Sequence, residues 1–272
     1  MRKVIVSVFV FMYVYICFPI HAQVDTLKIS GTKYLCDIIQ GVLPDFYATN
    51  PNCVVKFVSM DNTPHALSDF ILQGVDVALT TQSLSETDKK KIGFSYKEQE
   101  FAKDAIVFYT SNKNNTKGLT LSQIHEIYTE KTHDWSGING KNEKILTIAY
   151  PLGHDFTLQL YKNVWNKEYY SISALVVESN EQLQNKLNLS HYTIGYTAQS
   201  FKIKGNIVPV MVNNVPVPPN EENILNSKYP LSYSCYSIIN TQKISANKFL
   251  EWLLLPATKK KLKSYNLYSS LS

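Results

Sequence analysis

Leu27-Lys28-Ile29-Ser30-Gly31-Thr32 begins the stretch that decides the fold. It reads as a short strand running into a turn of small residues. From Lys33 to Ala48, Leu35, Ile38, Ile39, Val42, Leu43 and Phe46 keep helical spacing. Pro44 inside that pattern predicts a kink or an early end, because its ring removes a backbone donor and crowds the preceding turn. Asn50-Pro51-Asn52 is a turn, and Val54-Val55-Lys56-Phe57-Val58 is a second strand. Thr63-Pro64 opens a second helix, with Thr63 as its cap and Pro64 in first position, and Gly74 stops it. Val75 to Leu79 is a third strand, ending at Thr80-Thr81. Strand, helix, strand, helix, strand is the signature of a parallel sheet with helical crossovers, hence of the α/β class.

The alternation continues outward. Phe101 to Tyr109 is a strand, Leu121 to Tyr128 a helix, and Ile145 to Ala149 a strand. A loop from Tyr150 to Asp155 leads into a helix that ends near Asn166. Leu175 to Val177 is a short strand, Glu181 to Leu187 a helix and Tyr192 to Tyr196 a strand. Ile207 to Val217 is extended and punctuated by proline; Tyr233 to Ile239 is an apolar strand; Ala246 to Leu255 is an amphipathic helix, with a basic helical tail from Lys259. No Gly/Ser-rich linker separates the blocks, so the chain passes between them through ordered strands.

Length and composition narrow the class. A chain of 272 residues has room for two lobes, and 44% hydrophobic against 18% charged residues marks a globular folder. Met1-Arg2-Lys3, the apolar run Val4 to Ile20 and Ala22 make a secretory leader over residues 1–22, so the chain is expected to be exported to the periplasm or cell envelope. Two alternatives stay open: a membrane anchor at the lower limit of spanning length, and a lipoprotein attached through Cys17, which Ile16 disfavours. The only arginine is Arg2, inside that leader. Without Arg2 and Lys3, 25 basic residues face 22 acidic ones, spread along the chain with no dense basic stripe, so nucleic acid is not an expected partner. The lysine runs Lys89 to Lys91 and Lys259 to Lys263 read as solvated helix faces. Cys36, Cys53 and Cys235 fit no zinc spacing and read as small buried hydrophobes, although Cys36 and Cys53 are close enough in sequence to pair.

Ligands of open α/β sheets sit at the carboxyl ends of strands against helix N-termini, where free N–H groups and hydroxyls converge. Four such corners are legible: Ser30-Gly31-Thr32, Asn62-Thr63, Thr80-Thr81, and Gly153-His154-Asp155 with Thr157. These are the candidate ligand residues for a small anion or polar solute. Each corner read by itself is also an ordinary helix cap. No HExxH helix, GxSxG elbow, P-loop or CxxC is present, so no enzyme, metal or cofactor is expected. His154-Asp155 is the one pair with a catalytic look.

Several segments resemble the phosphate-type solute-binding proteins of ABC transporters. They are Phe101-Ala102-Lys103-Asp104-Ala105-Ile106-Val107, Gly118-Leu119-Thr120-Leu121-Ser122-Gln123-Ile124, Lys131-Thr132-His133-Asp134-Trp135, Ile194-Gly195-Tyr196 and Tyr229-Pro230-Leu231-Ser232. The resemblance implies a two-lobe periplasmic-binding-protein-like fold of type II, each lobe a mainly parallel sheet flanked by helices. Residues 23–105 and 218–272 would form one lobe and 106–217 the other, hinging near Phe101–Ile106 and Tyr233–Ile238. It also implies a small-molecule ligand, with phosphate or another oxyanion in the class, and an ABC permease or membrane sensor as partner. The ligand loops depart from the family. The second corner, Asp61 to Ala66, has no glycine; Thr80-Thr81-Gln82 keeps a hydroxyl but no charge. In the fourth corner Tyr150 replaces an arginine, and Gly153-His154-Asp155-Phe156 replaces Gly-Ser-Gly-Thr. Asp61 and Asp155 are expected to repel an anion, and a protonated His154 to offset them. An interaction or sensor module that has lost phosphate binding is the alternative.

Overall fold

The computed structural model describes residues 24–269 except 115 and 139. The expected leader, with Arg2 and Cys17, therefore lies outside the described residues. The strands are β1 (Asp25–Thr32), β2 (Cys53–Asp61), β3 (Val77–Thr80), β4 (Tyr96–Thr110), β5 (Leu146–Ala149), β6 (Leu175–Val176), β7 (Thr193–Ala198), β8 (Asn206–Val208), β9 (Val210–Val212), β10 (Val215–Val217) and β11 (Ser232–Asn240). The helices are α1 (Lys33–Thr49), α2 (Thr63–Ile71), α3 (Glu86–Lys91), α4 (Leu121–Tyr128), α5 (Asp155–Asn163), α6 (Asn180–Leu189), α7 (Glu221–Leu225), α8 (Ile244–Leu254) and α9 (Pro256–Ser264).

Sheet order is β2-β1-β3-β11-β4-β7-β5-β6, with β8 also on β4. The ends, β2-β1-β3 and β7-β5-β6, are parallel, as the α/β alternation predicts. The long strand β4 joins them. Its residues up to Ala105 pair antiparallel with β11, and those from Ile106 pair antiparallel with β7. The parallel strands β1 and β3 end within their corners, and β2 and β5 end just before theirs, so the order of elements carries the corners to the carboxyl edges of the sheet. Their strands and helices also set the corners' local geometry.

The core explains why the elements persist. On α1, Leu35, Ile39 and Phe46 are fully buried, and Phe46 packs against Phe249 and Trp252 of α8 at ring separations of 5.8 and 5.4 Å. That packing offsets the donor missing at Pro44, and α1 runs on to Thr49 rather than stopping early. Phe108, on the second half of β4, forms another aromatic cluster with Tyr128, Trp165 and Tyr196. Its tyrosines stay affordable inside because they are bonded: Tyr128 donates to the Ile148 carbonyl at 3.1 Å. Asn213 and Asn214 both take positive φ (50° and 63°), the backbone of the tight turn that joins β9 and β10. Cys36, Cys53 and Cys235 are free and buried, as their reading as small hydrophobes predicts. The lysine runs lie on α3 and α9, where Lys89, Lys91, Lys261 and Lys263 pair with Glu86, Asp88, Asp45 and Glu221. Among the described residues no helix is long and apolar enough to cross a membrane.

Candidate functional site

Two of the four corners meet directly. Asn62, not Thr63, caps α2: its side chain accepts the His65 N–H, which moves Thr63 and Pro64 into the first turn. The shift frees the Thr63 N–H, which would otherwise sit before the helix, to point out of its N-terminus. That N–H donates to Asp155 Oδ1 at 3.0 Å, 92 residues away. Asp155 is the first residue of α5 and 3% exposed. Its carboxylate therefore lies where the N-termini of α2 and α5 converge, the electrostatic setting in which an anion is stabilised.

The third corner closes on the second. Thr81 N–H donates to Thr63 Oγ1 at 3.0 Å, and the two threonine hydroxyls lie 3.1 Å apart. Two residues that sequence reasoning missed complete the link. Gln159 Nε2 donates to the Thr81 carbonyl at 3.1 Å, and Lys162 Nζ donates to Gln82 Oε1 at 2.5 Å. Asp155, Gln159 and Lys162 stand at i, i+4 and i+7 of α5. That spacing of polar residues on one helix face was the available signal. Asn62 Nδ2 adds a long bond of 3.4 Å to the Gly153 carbonyl.

Other candidates have different employment. Ser30 is buried and donates to Asp69 Oδ2 at 2.7 Å. Gly31 is needed for space, since a Cβ there would meet Cys36 Sγ at 2.7 Å and Leu79 Cβ at 2.8 Å. Thr80 Oγ1 donates to the Gln82 carbonyl. Thr157 Oγ1 donates to the Tyr150 carbonyl at 3.0 Å and lies 2.8 Å from Tyr196 OH, inside the second aromatic cluster. Thr32 Oγ1 is buried with no hydrogen-bond partner.

The charges are lopsided. Burial holds Asp155 up at about 6 and the nearby Asp61 charge adds to this, against the hydrogen bonds from Thr63 and Thr81. Burial pushes His154 down to about 4, with Asp61 pulling the other way. His154 is thus neutral at pH 7. Its ring stacks on Tyr150 at 4.4 Å, and its Nδ1 accepts the Phe156 N–H at 3.3 Å, which assigns the proton to Nε2. The expected cationic offset from His154 is absent. Tyr150, where the resemblance leads one to expect an arginine, spends its hydroxyl on Asn180 Oδ1 at 2.8 Å. Asp61 is exposed and pairs with His65. A cavity of about 820 Å³ opens elsewhere, lined by Lys113, Lys117, Trp135, Lys141, His191 and Tyr192 among others. No corner residue lines it, so its size says nothing about the corners.

The fold has relatives. The phosphate-binding protein PstS of Borreliella burgdorferi is 21% identical over 267 residues, 93% of each chain. That of Staphylococcus saprophyticus is 24% identical over 237 residues, covering 82% of this chain and 72% of the relative. A phosphate ABC transporter substrate-binding protein from Clostridium perfringens, solved with bound phosphate, superposes with a TM-score of 0.77 at 19% identity, covering 90% of this chain and 99% of that one. An ABC-type phosphate transport receptor from Vibrio cholerae gives 0.76 at 18% identity, with 89% and 99% covered. By name these are binding proteins and receptors, not enzymes. The model of the PBP superfamily domain matches residues 19–257, most of the chain, and the chain belongs to that family.

Proposed function

We propose that this chain is an exported solute-binding protein that takes a small polar solute or oxyanion between two lobes and presents it to an ABC permease or a membrane sensor. The observation that carries the reading is the convergence of the second, third and fourth corners, from opposite ends of the sheet, on the N-termini of α2 and α5. The lobes are residues 23–105 with 218–272, and 106–217. The change of partner along β4 between Ala105 and Ile106 supports that division and a hinge near it. The named roles of the relatives support solute binding, and the leader over residues 1–22 supports export. No covalent chemistry is needed.

The bonds that the corners make to one another favour a second reading, an interaction or sensor module that carries no solute. Titration calorimetry and thermal shift with phosphate, sulfate, molybdate and a panel of neutral and cationic polar solutes separate the two. Heat and a raised melting temperature with any of them support solute binding. Silence with all of them removes that reading and leaves the module.

A further inference from the structure

Apart from the buried Thr32 hydroxyl, which has no hydrogen-bond partner, the following corner donors are already taken by the chain itself. The Thr63 N–H is given to Asp155, and the Thr81 N–H to Thr63 Oγ1. The Ser30, Thr80 and Thr157 hydroxyls go to Asp69, Gln82 and Tyr150. A carboxylate is the one side-chain group that resembles a bound oxyanion in charge and acceptor geometry. In this chain one sits, 3% exposed, against the N-terminus of α2 and at the start of α5. It stands where the family pattern has the second glycine of Gly-Ser-Gly-Thr, a position that in the pattern carries no side chain at all. Among the described residues no cation is bonded at the seat: Tyr150 stands where the resemblance expects an arginine, His154 accepts a hydrogen bond through Nδ1, and Lys162, still charged beside the neutral Gln82 amide, is two turns further along α5.

We infer that Asp155 is the specificity-determining residue of the cleft: its carboxylate occupies the seat of an oxyanion, so that divalent oxyanions are turned away and neutral or cationic polar solutes are accepted. This rests on the reading of the corners as a ligand cleft. A dianion entering the seat would have to displace Asp155 from the Thr63 N–H and remain beside it without a counter-charge, which sets the two negative groups against each other in a water-poor site.

The test is inorganic phosphate titrated at pH 7.5 into the wild-type chain, Asp155→Gly and Asp155→Ala, each first shown to melt cooperatively. Alanine keeps the helix start should glycine weaken it. The expected result is a tightening on the order of 100-fold in at least one variant over wild type, the size expected when a buried like charge is removed and a donor is released. Two results overturn the inference. Wild-type binding of phosphate at least as tight as in the variants removes the tethered-anion role and leaves the solute-binding reading standing. Folded variants that stay as indifferent to phosphate as wild type show that the seat is not an anion site. The solute-binding reading then stands or falls separately on wild-type heats with the neutral and cationic panel.

Discussion

Replacing Asp155 by asparagine keeps the shape and the acceptor for the Thr63 N–H while removing the charge. The effect on stability follows from the carboxyl's place. An aspartate titrates at 3.8 in the unfolded chain, and burial holds Asp155 at about 6 in the fold. Below pH 3.8 both states carry the proton. Between 3.8 and about 6 the unfolded chain releases it while the folded chain keeps it, so stability falls as pH rises; above 6 it levels off. At about 1.4 kcal/mol per pKa step, the whole loss is roughly 3 kcal/mol, of which roughly 2 kcal/mol falls between pH 4.5 and 7.5. Asparagine has no proton to lose and is spared this. Its amide can donate to the Thr63 or Thr81 hydroxyl, which lie 3.1 Å apart. Urea unfolding of both proteins at pH 4.5 and 7.5 gives the double difference, in which any packing change common to both pH values cancels. The expected outcome is that Asp155→Asn gains about 2 kcal/mol on wild type between the two pH values. A gap that is the same at both, or that narrows at pH 7.5, refutes the raised carboxyl and with it the water-poor seat.

Other perturbations read neighbouring parts of the fold. Asp104 lies on β4 beside the change of partner, fully buried, accepting from the Ala105 N–H at 2.7 Å and the Ser200 N–H at 3.3 Å, and burial raises it to about 7. Its contribution to stability is present below pH 3.8 and lost as pH rises through 7, so Asp104→Asn should gain roughly 3 kcal/mol on wild type between pH 4.5 and 8 by the same unfolding measurement. Burial pushes the Cys36 thiol up to about 12 and raises Cys235 strongly. In the chain lacking residues 1–22, neither should react with a thiol-selective disulfide reagent at pH 8 until denaturant is added. Rapid release of more than one equivalent from the folded protein would contradict their placement.

The sequence's legibility follows the range of the forces involved. The β1-α1-β2-α2-β3 stretch declares itself because each element buries a continuous face, and periodicity records burial directly. The start of β4 did not declare itself. Tyr96 to Glu100 has no fully buried position and carries Lys97, Glu98 and Glu100, and pairing with the distant β11 makes it a strand. The helices α3 (Glu-Thr-Asp-Lys-Lys-Lys) and α7 (Glu-Glu-Asn-Ile-Leu) are too short and too polar to show a period. At α2 the cap fell one residue early because Asn and Thr are both good caps, and Pro64 fits the first helical turn from either. The corners themselves were legible as strand ends before helices. The partnership of Asp155 with Thr63 was not, since no local rule links residues 92 apart. An exposed loop carboxylate and a buried one read alike in sequence; tertiary closure makes the difference.

The absence of arginine from residues 3–272 and the presence of Asp155 are two sides of one adjustment. An arginine at position 150 and a carboxylate at position 155 could bond bidentately and so compete with an incoming anion for each other. An anion seat without one tolerates a tethered carboxylate better than a free dianion, because a single charge held by Thr63 and Thr81 costs less to bury than a double one. Reversing either change alone should therefore achieve less than reversing both. Tyr150→Arg alone should leave phosphate affinity near wild type, since the guanidinium turns to Asp155. Asp155→Gly alone should free the Thr63 N–H without supplying a counter-charge. Together they should bind phosphate more tightly than the two separate effects predict. A charge-assisted contact of about 1.5–3 kcal/mol implies a coupling of at least about 1 kcal/mol in a double-mutant cycle read by calorimetry. Strict additivity would mean that positions 150 and 155 do not share one seat, and the account of Asp155 as a tethered anion facing the arginine's place would be wrong.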